Sequence, residues 1–210
     1  MHIRDLTLER LAVATVSIEE TVKDALNKIN ETGYRCIPVV DRQDAYKGML
    51  YKVDLIEFLY EEKGDEQSPI DSLVQHSDTY ITDDESFLNA LLQIKALPFI
   101  SVVKDGKLFG ILTHNKIESV LEDAFGLKTG GINITLASTE AKGMINRLTK
   151  TLRDDNIEGL LTLDNGSALA RRVVITLEDT RSDEEVAKLR EKLEKNGFRI
   201  LQVSRLNKKK

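Results

Sequence analysis

A stretch of this chain is written twice, and that repetition limits the folds open to it more than any single motif does. In the first copy, the apolar run Cys36-Ile37-Pro38-Val39-Val40 leads through a polar turn to a second apolar run ending at Leu50. Val53, Leu55, Ile56, Phe58 and Leu59 then recur at helical spacing, with Asp54 near the helix start. The pattern is strand, turn, strand, helix. The second copy runs Phe99-Ile100-Ser101-Val102-Val103, a turn at Asp105-Gly106, then Gly110-Ile111-Leu112-Thr113-His114-Asn115-Lys116-Ile117. Ala25-Leu26 aligns with Ala90-Leu91 at an offset of 65, and Val39-Val40 with Val102-Val103 at 63. The second copy is therefore two residues shorter between its helix and its strand.

A helix is predicted ahead of each pair of strands. Ser17-Ile18-Glu19-Glu20 has the form of a capping box, with Ser17 as cap and Glu20 reaching back. The helix it opens carries Val22, Ala25, Leu26 and Ile29 on one face and stops near Gly33. In the second copy Tyr80-Ile81-Thr82 takes the place of 14–17, and a helix is expected over 83–94 with Phe87, Leu88, Leu91 and Ile94 inward. Pro38 and Pro98 suit edge or initiating strand positions. The charged segment 61–69, with Gly64 and Pro69, is a linker, followed by a helical turn around 70–74.

After Leu121 the register changes, and residues 126–131 form a glycine-containing break. Strands are expected over 132–136, 157–163, 171–177 and 198–206. Helices are expected over 139–155, with Met144, Ile145, Leu148 and Leu152 inward, and from Ser182 to Gly197. Asn165-Gly166 is a hairpin signal between the middle strands, and Asp183, Glu184 and Glu185 suit the positive end of the last helix. The order β-α-β-β-α-β is the ferredoxin-like arrangement. The fold class is thus α/β (α+β) in three domains, over residues 1–67, 68–127 and 130–210.

Composition narrows the function classes. With 41% hydrophobic and 31% charged residues the chain is ordinary for a soluble protein, and no apolar run approaches the roughly 18 residues of a membrane helix. The N-terminus lacks a signal pattern, and a single cysteine fits a reducing compartment, so a cytoplasmic location is expected. A net charge of −5 gives no general attraction to nucleic acid. His2, His76 and His114 fall in separate contexts, without metal-ligand or nucleophile spacing, and no phosphate-cradling glycine loop is present. Neither catalysis nor a metal or other cofactor is expected.

The doubled strand-strand-helix unit, with Gly-x-x-(Thr/Ser)-x-x-Asp in view, resembles a tandem pair of CBS domains, the Bateman module, over roughly residues 8–123. The remaining third is similar in topology to an ACT domain. A CBS pair followed by an ACT domain is the layout of AcuB-like proteins and of related cyclic di-AMP-binding CBS proteins of Gram-positive bacteria. The resemblance implies a non-enzymatic regulator, commonly dimeric, that binds an adenine nucleotide in the CBS cleft and acts on a protein partner.

By the same resemblance, Asp54 would accept hydrogen bonds from a ribose diol, although a first-turn Asp also suits the helix dipole alone. Tyr51 stands where Thr or Ser would offer a phosphate hydroxyl, so its ring either stacks on a base or fills the pocket. Thr113 keeps that hydroxyl in the second copy, while Lys116 replaces the carboxylate, with His114 and Asn115 between. That set favours a phosphate-rich ligand at a helix N-terminus, unless Lys116 simply faces solvent. The implied facing segments are Val13-Ala14-Thr15 for the second motif, and Thr79 and Tyr80, after Asp78, for the first. Arg35, Cys36, Ile37 and Pro38 would form an adenine wall, with Arg35 either reaching phosphate or lying on the surface, and Cys36 behaving as a buried hydrophobe. Cyclic di-AMP is the ligand expected. AMP or ATP, a protein-interaction module with degenerate sites, and an amino-acid-responsive regulator remain open, although the Asp-x-Pro-Gly pattern of amino-acid-binding ACT domains is absent from 137–143.

Overall fold

A computed structural model describes residues 2–139, 142–163 and 171–207. The chain divides into two compact units, Met1–Ile117 and Glu118–Lys210.

In the first unit each copy builds its own small sheet. Strand β2 (Val16–Ser17) lies parallel to β3 (Cys36–Val40), which pairs antiparallel with β4 (Tyr46–Tyr51). Helix α1 (Val22–Thr32) connects the parallel pair, and α2 (Lys52–Tyr60) follows the hairpin. The second copy repeats this with β5 (Ile81–Thr82), α3 (Phe87–Gln93), the hairpin β6 (Phe99–Lys104) and β7 (Lys107–Thr113), and α4 (His114–Ala124). All five residues of β3 are buried, as expected where both faces of a strand are covered and alternation is lost.

The two copies clasp one another through exchanged edges. Strand β1 (Leu8–Glu9), which precedes the first copy, pairs with β7 of the second. Gln75, which precedes the second copy, bridges Met49 of the first. Both crossings fall on a glycine because the partner backbone leaves no room for a side chain. A Cβ on Gly48 would lie 2.4 Å from the Gln75 carbonyl oxygen, and one on Gly110 would lie 2.1 Å from that of Leu8. Residues of both copies, including Val13, Cys36, Met49, Ile81, Phe99 and Ile111, then share one buried cluster.

The helix boundaries correct the sequence reading. Thr21, not Ser17, caps α1: its hydroxyl accepts from the Asp24 amide. Ser17 ends β2 and closes a tight turn in which Glu20 still reaches back to its amide at 3.1 Å. In the second copy Ser86 is the cap, so α3 starts four residues later than expected, and Leu88 is 67% exposed rather than inward. Pro38 is the third residue of β3 rather than its first, and it sits at a local edge: β2 reaches only Val39 and Val40, so the missing Pro38 N–H costs no ladder bond on that side.

The second unit is ferredoxin-like. Strands β8 (Gly131–Ser138), β9 (Ile157–Leu163), β10 (Arg171–Leu177) and β11 (Arg199–Leu206) form one antiparallel sheet in the order β11-β8-β10-β9. Helices α5 (Met144–Thr151) and α6 (Asp183–Lys195) bury Met144, Leu148, Leu189 and Leu193 against Ile132, Ile134, Leu136, Val173 and Ile175. Helix α5 is shorter than expected and leaves Ile145 40% exposed. Ser182 and Glu185 form the full capping box at α6. On the sheet's other face, the buried Thr176 hydroxyl donates to the Phe125 carbonyl at 2.6 Å and accepts from the Asn133 amide at 2.9 Å. The Asn165-Gly166 turn lies outside the described residues.

Candidate functional site

Cys36 pairs with Tyr51 at the end of the first hairpin, and Phe99 with Thr113 at the end of the second. Helices α2 and α4 start immediately after these pairs, so the repeat brings two strand ends and two helix starts to corresponding places. Two cavities open there and share the walls Arg35, Cys36 and Pro98. The larger, about 470 Å³, is completed by Tyr51, Lys52, Val53 and Ile56 and is almost wholly apolar. The smaller, about 220 Å³, is completed by Leu8, Tyr34, Phe99, Ile111 and Thr113. Val53 and Ile56 belong to the apolar residues that recur at helical spacing in α2. They are 53% and 47% exposed and line the larger cavity.

Two weak acids and two cations stand among the polar groups that line the cavities. Burial pushes the Cys36 thiol up to about 12. Burial, then the neighbouring Cys36 and Asp54, raises the Tyr51 phenol to about 12 as well. Arg35 and Lys52 stand at the cavity walls, and the Lys52 amide donates to the Arg35 carbonyl at 2.9 Å. Neither side chain has an acidic partner among the described residues, a state they share with Arg4, Lys95, Lys107 and Lys116 of the same unit, whereas Arg10, Lys23, Lys28, Arg42, Lys47, Lys63 and Lys104 are ion-paired. Two unneutralised cations beside an apolar cavity suit an anion that carries a flat apolar body.

The residues singled out from sequence fall in three places. Arg35, Cys36, Tyr51 and Thr113 line the cavities. Ile37 and Val13 are core residues, Pro38 is buried within β3, and Ala14 is partly buried. Thr15 accepts from Arg10, which also holds the Val13 carbonyl and pairs with Asp44 at 2.7 Å. On the first turn of α4, His114 Nε2 is 2.9 Å from the Leu97 carbonyl, and Asn115 and Lys116 are exposed and outside the cavity linings. Asp54 lines a separate small pocket and accepts from Gln75 at 2.7 Å. The Thr79 carbonyl lies 3.4 Å from the Tyr46 hydroxyl, and the Tyr80 ring meets Tyr46 edge-on at 5.8 Å. Lys52, Val53, Ile56 and Pro98 line the larger cavity as well and were not singled out from sequence. The available signal was positional: all four lie within or beside the two repeated strand ends.

Among the described residues, no group of His, Cys, Asp or Glu is placed to hold a metal ion, and no helix is long and apolar enough to cross a membrane.

Comparison with known proteins places the fold. Residues 3–61 match the family model of the CBS domain. The structure is similar to CbpB in complex with c-di-AMP (17% identity, TM-score 0.54, 58% of this chain and 85% of that one). It is also similar to a CBS domain pair/ACT domain protein from Thermotoga maritima (20% identity, TM-score 0.51, 59% and 98%). A third similar structure is CBSX2 in complex with AMP (23% identity, TM-score 0.51, 57% and 95%). No curated protein matches the chain in sequence. The first unit therefore has the fold of a tandem CBS-domain pair, and its first copy matches the CBS family model directly.

Proposed function

We propose that the chain is a non-enzymatic regulatory sensor that binds an adenine nucleotide, cyclic di-AMP above all, in the cleft of its CBS pair. The observation that carries this reading is the pair of cavities sharing Arg35, Cys36 and Pro98, with the cationic side chains of Arg35 and Lys52 among their lining residues. A cyclic dinucleotide has two flat bases and two phosphodiesters, which suits two adjoining cavities with cations between and beside them. AMP, which the similar CBSX2 holds, has one base and is the simpler alternative. The ferredoxin-like unit acts as an ACT-like domain that dimerises the protein or passes the signal to a protein partner in the cytoplasm.

Calorimetric titration of cyclic di-AMP and AMP into nucleotide-free protein tests the reading. Charge-assisted hydrogen bonds contribute roughly 1.5–3 kcal/mol each, so Arg35→Ala with Lys52→Ala should weaken cyclic di-AMP by at least about tenfold. No heat with either nucleotide sinks the proposal and favours a protein-interaction module.

A further inference from the structure

The two cavities adjoin on Arg35, Cys36 and Pro98 and are built by a repeat, yet they are unlike. Strand pairing sets Cys36 against Tyr51 in the first copy and Phe99 against Thr113 in the second. Tyr51 therefore corresponds to Thr113, and the next two residues, Lys52 and Val53, correspond to His114 and Asn115. The helix start of the first copy lines the larger cavity, whereas the polar start of the second lies outside both linings.

The walls differ in freedom as well as in chemistry. The larger cavity, about 470 Å³, is bounded by Val53 and Ile56, both exposed, so its α2 side gives onto solvent. The smaller, about 220 Å³, is bounded by Phe99 and Ile111, which belong to the buried cluster shared by the copies, and by Leu8, which is paired with Ile111. Close-packed residues of that kind cannot move aside without disturbing the core. Small-molecule sites usually run about 300–1,000 Å³, so the smaller cavity suits one compact group and the larger has room to spare. A cyclic dinucleotide is two-fold symmetric, and here it meets two unlike halves. We infer that the cleft holds such a ligand unsymmetrically: the smaller cavity filters one base by size, and the larger accepts an enlarged apolar base beside Tyr51. Every base has a stacking face, so the Tyr51 ring does not itself select among them. This inference rests on the nucleotide reading above.

The test is a calorimetric titration of the full chain with cyclic di-AMP and with its analogues carrying an N6-benzyl group on one adenine or on both. The first benzyl group should weaken binding by less than about threefold, because the ligand turns its enlarged base to the open, apolar cavity. The second has only the close-packed cavity left and should cost at least about tenfold more. Equal losses at the two steps, or tolerance of both groups, overturns the unequal cavities while leaving nucleotide binding standing. Absence of heat with cyclic di-AMP itself overturns both.

Discussion

Three weak acids in the first unit are held back from water, Cys36 and Tyr46 buried and Tyr51 partly so. Burial raises each to about 12, and the Tyr46 hydroxyl spends its proton on the His76 carbonyl at 3.1 Å. In the unfolded chain, cysteine and tyrosine release protons near their ordinary values of about 8.5 and 10. Between those values and about 12 the folded protein keeps protons that the unfolded chain has given up, so their contribution to stability is complete below about pH 8.5 and falls as pH rises. Denaturation midpoints should therefore drop from pH 8.5 to 11, and Cys36→Ala with Tyr46→Phe should flatten the slope; an equal slope in the variant contradicts the assignment. Residues of this kind are only partly legible in sequence. Cys36 was visible as a buried hydrophobe, because a strand of five apolar residues has to be covered. The Gln75–Asp54 contact was not, because it joins positions 21 apart and depends on an edge exchanged between copies.

At the scale of elements, the repeat predicted both hairpins of the CBS pair but not the two-residue strands β1, β2 and β5, and helix starts slipped. The cause is local competition for orphan amides at each helix start. Ser17 satisfies a tight turn at 3.3 Å from the Glu19 amide, which leaves Thr21 to serve Asp24 at 3.2 Å. Thr21→Ala should then cost about 1 kcal/mol of stability, and Ser17→Ala distinctly less. Denaturant midpoints compare them directly, and the reverse order would show that the helix starts at the earlier serine. In the ferredoxin-like unit the four strands and the Ser182 cap followed from sequence. Helix α5 did not keep its expected length, since only Met144, Leu148 and Leu152 of its predicted face are buried and Ile145 is not.

At the scale of the molecule, two small sheets that exchange edges place two strand ends and two helix starts around Arg35, Cys36 and Pro98. Of the cavity-lining residues, Arg35, Cys36, Tyr51 and Thr113 were singled out from sequence, and Lys52, Val53, Ile56 and Pro98 were not. A helical pattern marks which residues are apolar, not which apolar face is left open to a cavity. The central claim is that an adenine dinucleotide occupies this cleft. A two-dimensional amide spectrum of the isotope-labelled full chain, titrated with cyclic di-AMP, tests it most directly. The account predicts saturable shifts concentrated at Tyr34–Ile37, Tyr51–Val53, Leu97, Phe99 and Thr113. Shifts centred on the ferredoxin-like unit, or an unchanged spectrum at saturating ligand, would contradict it.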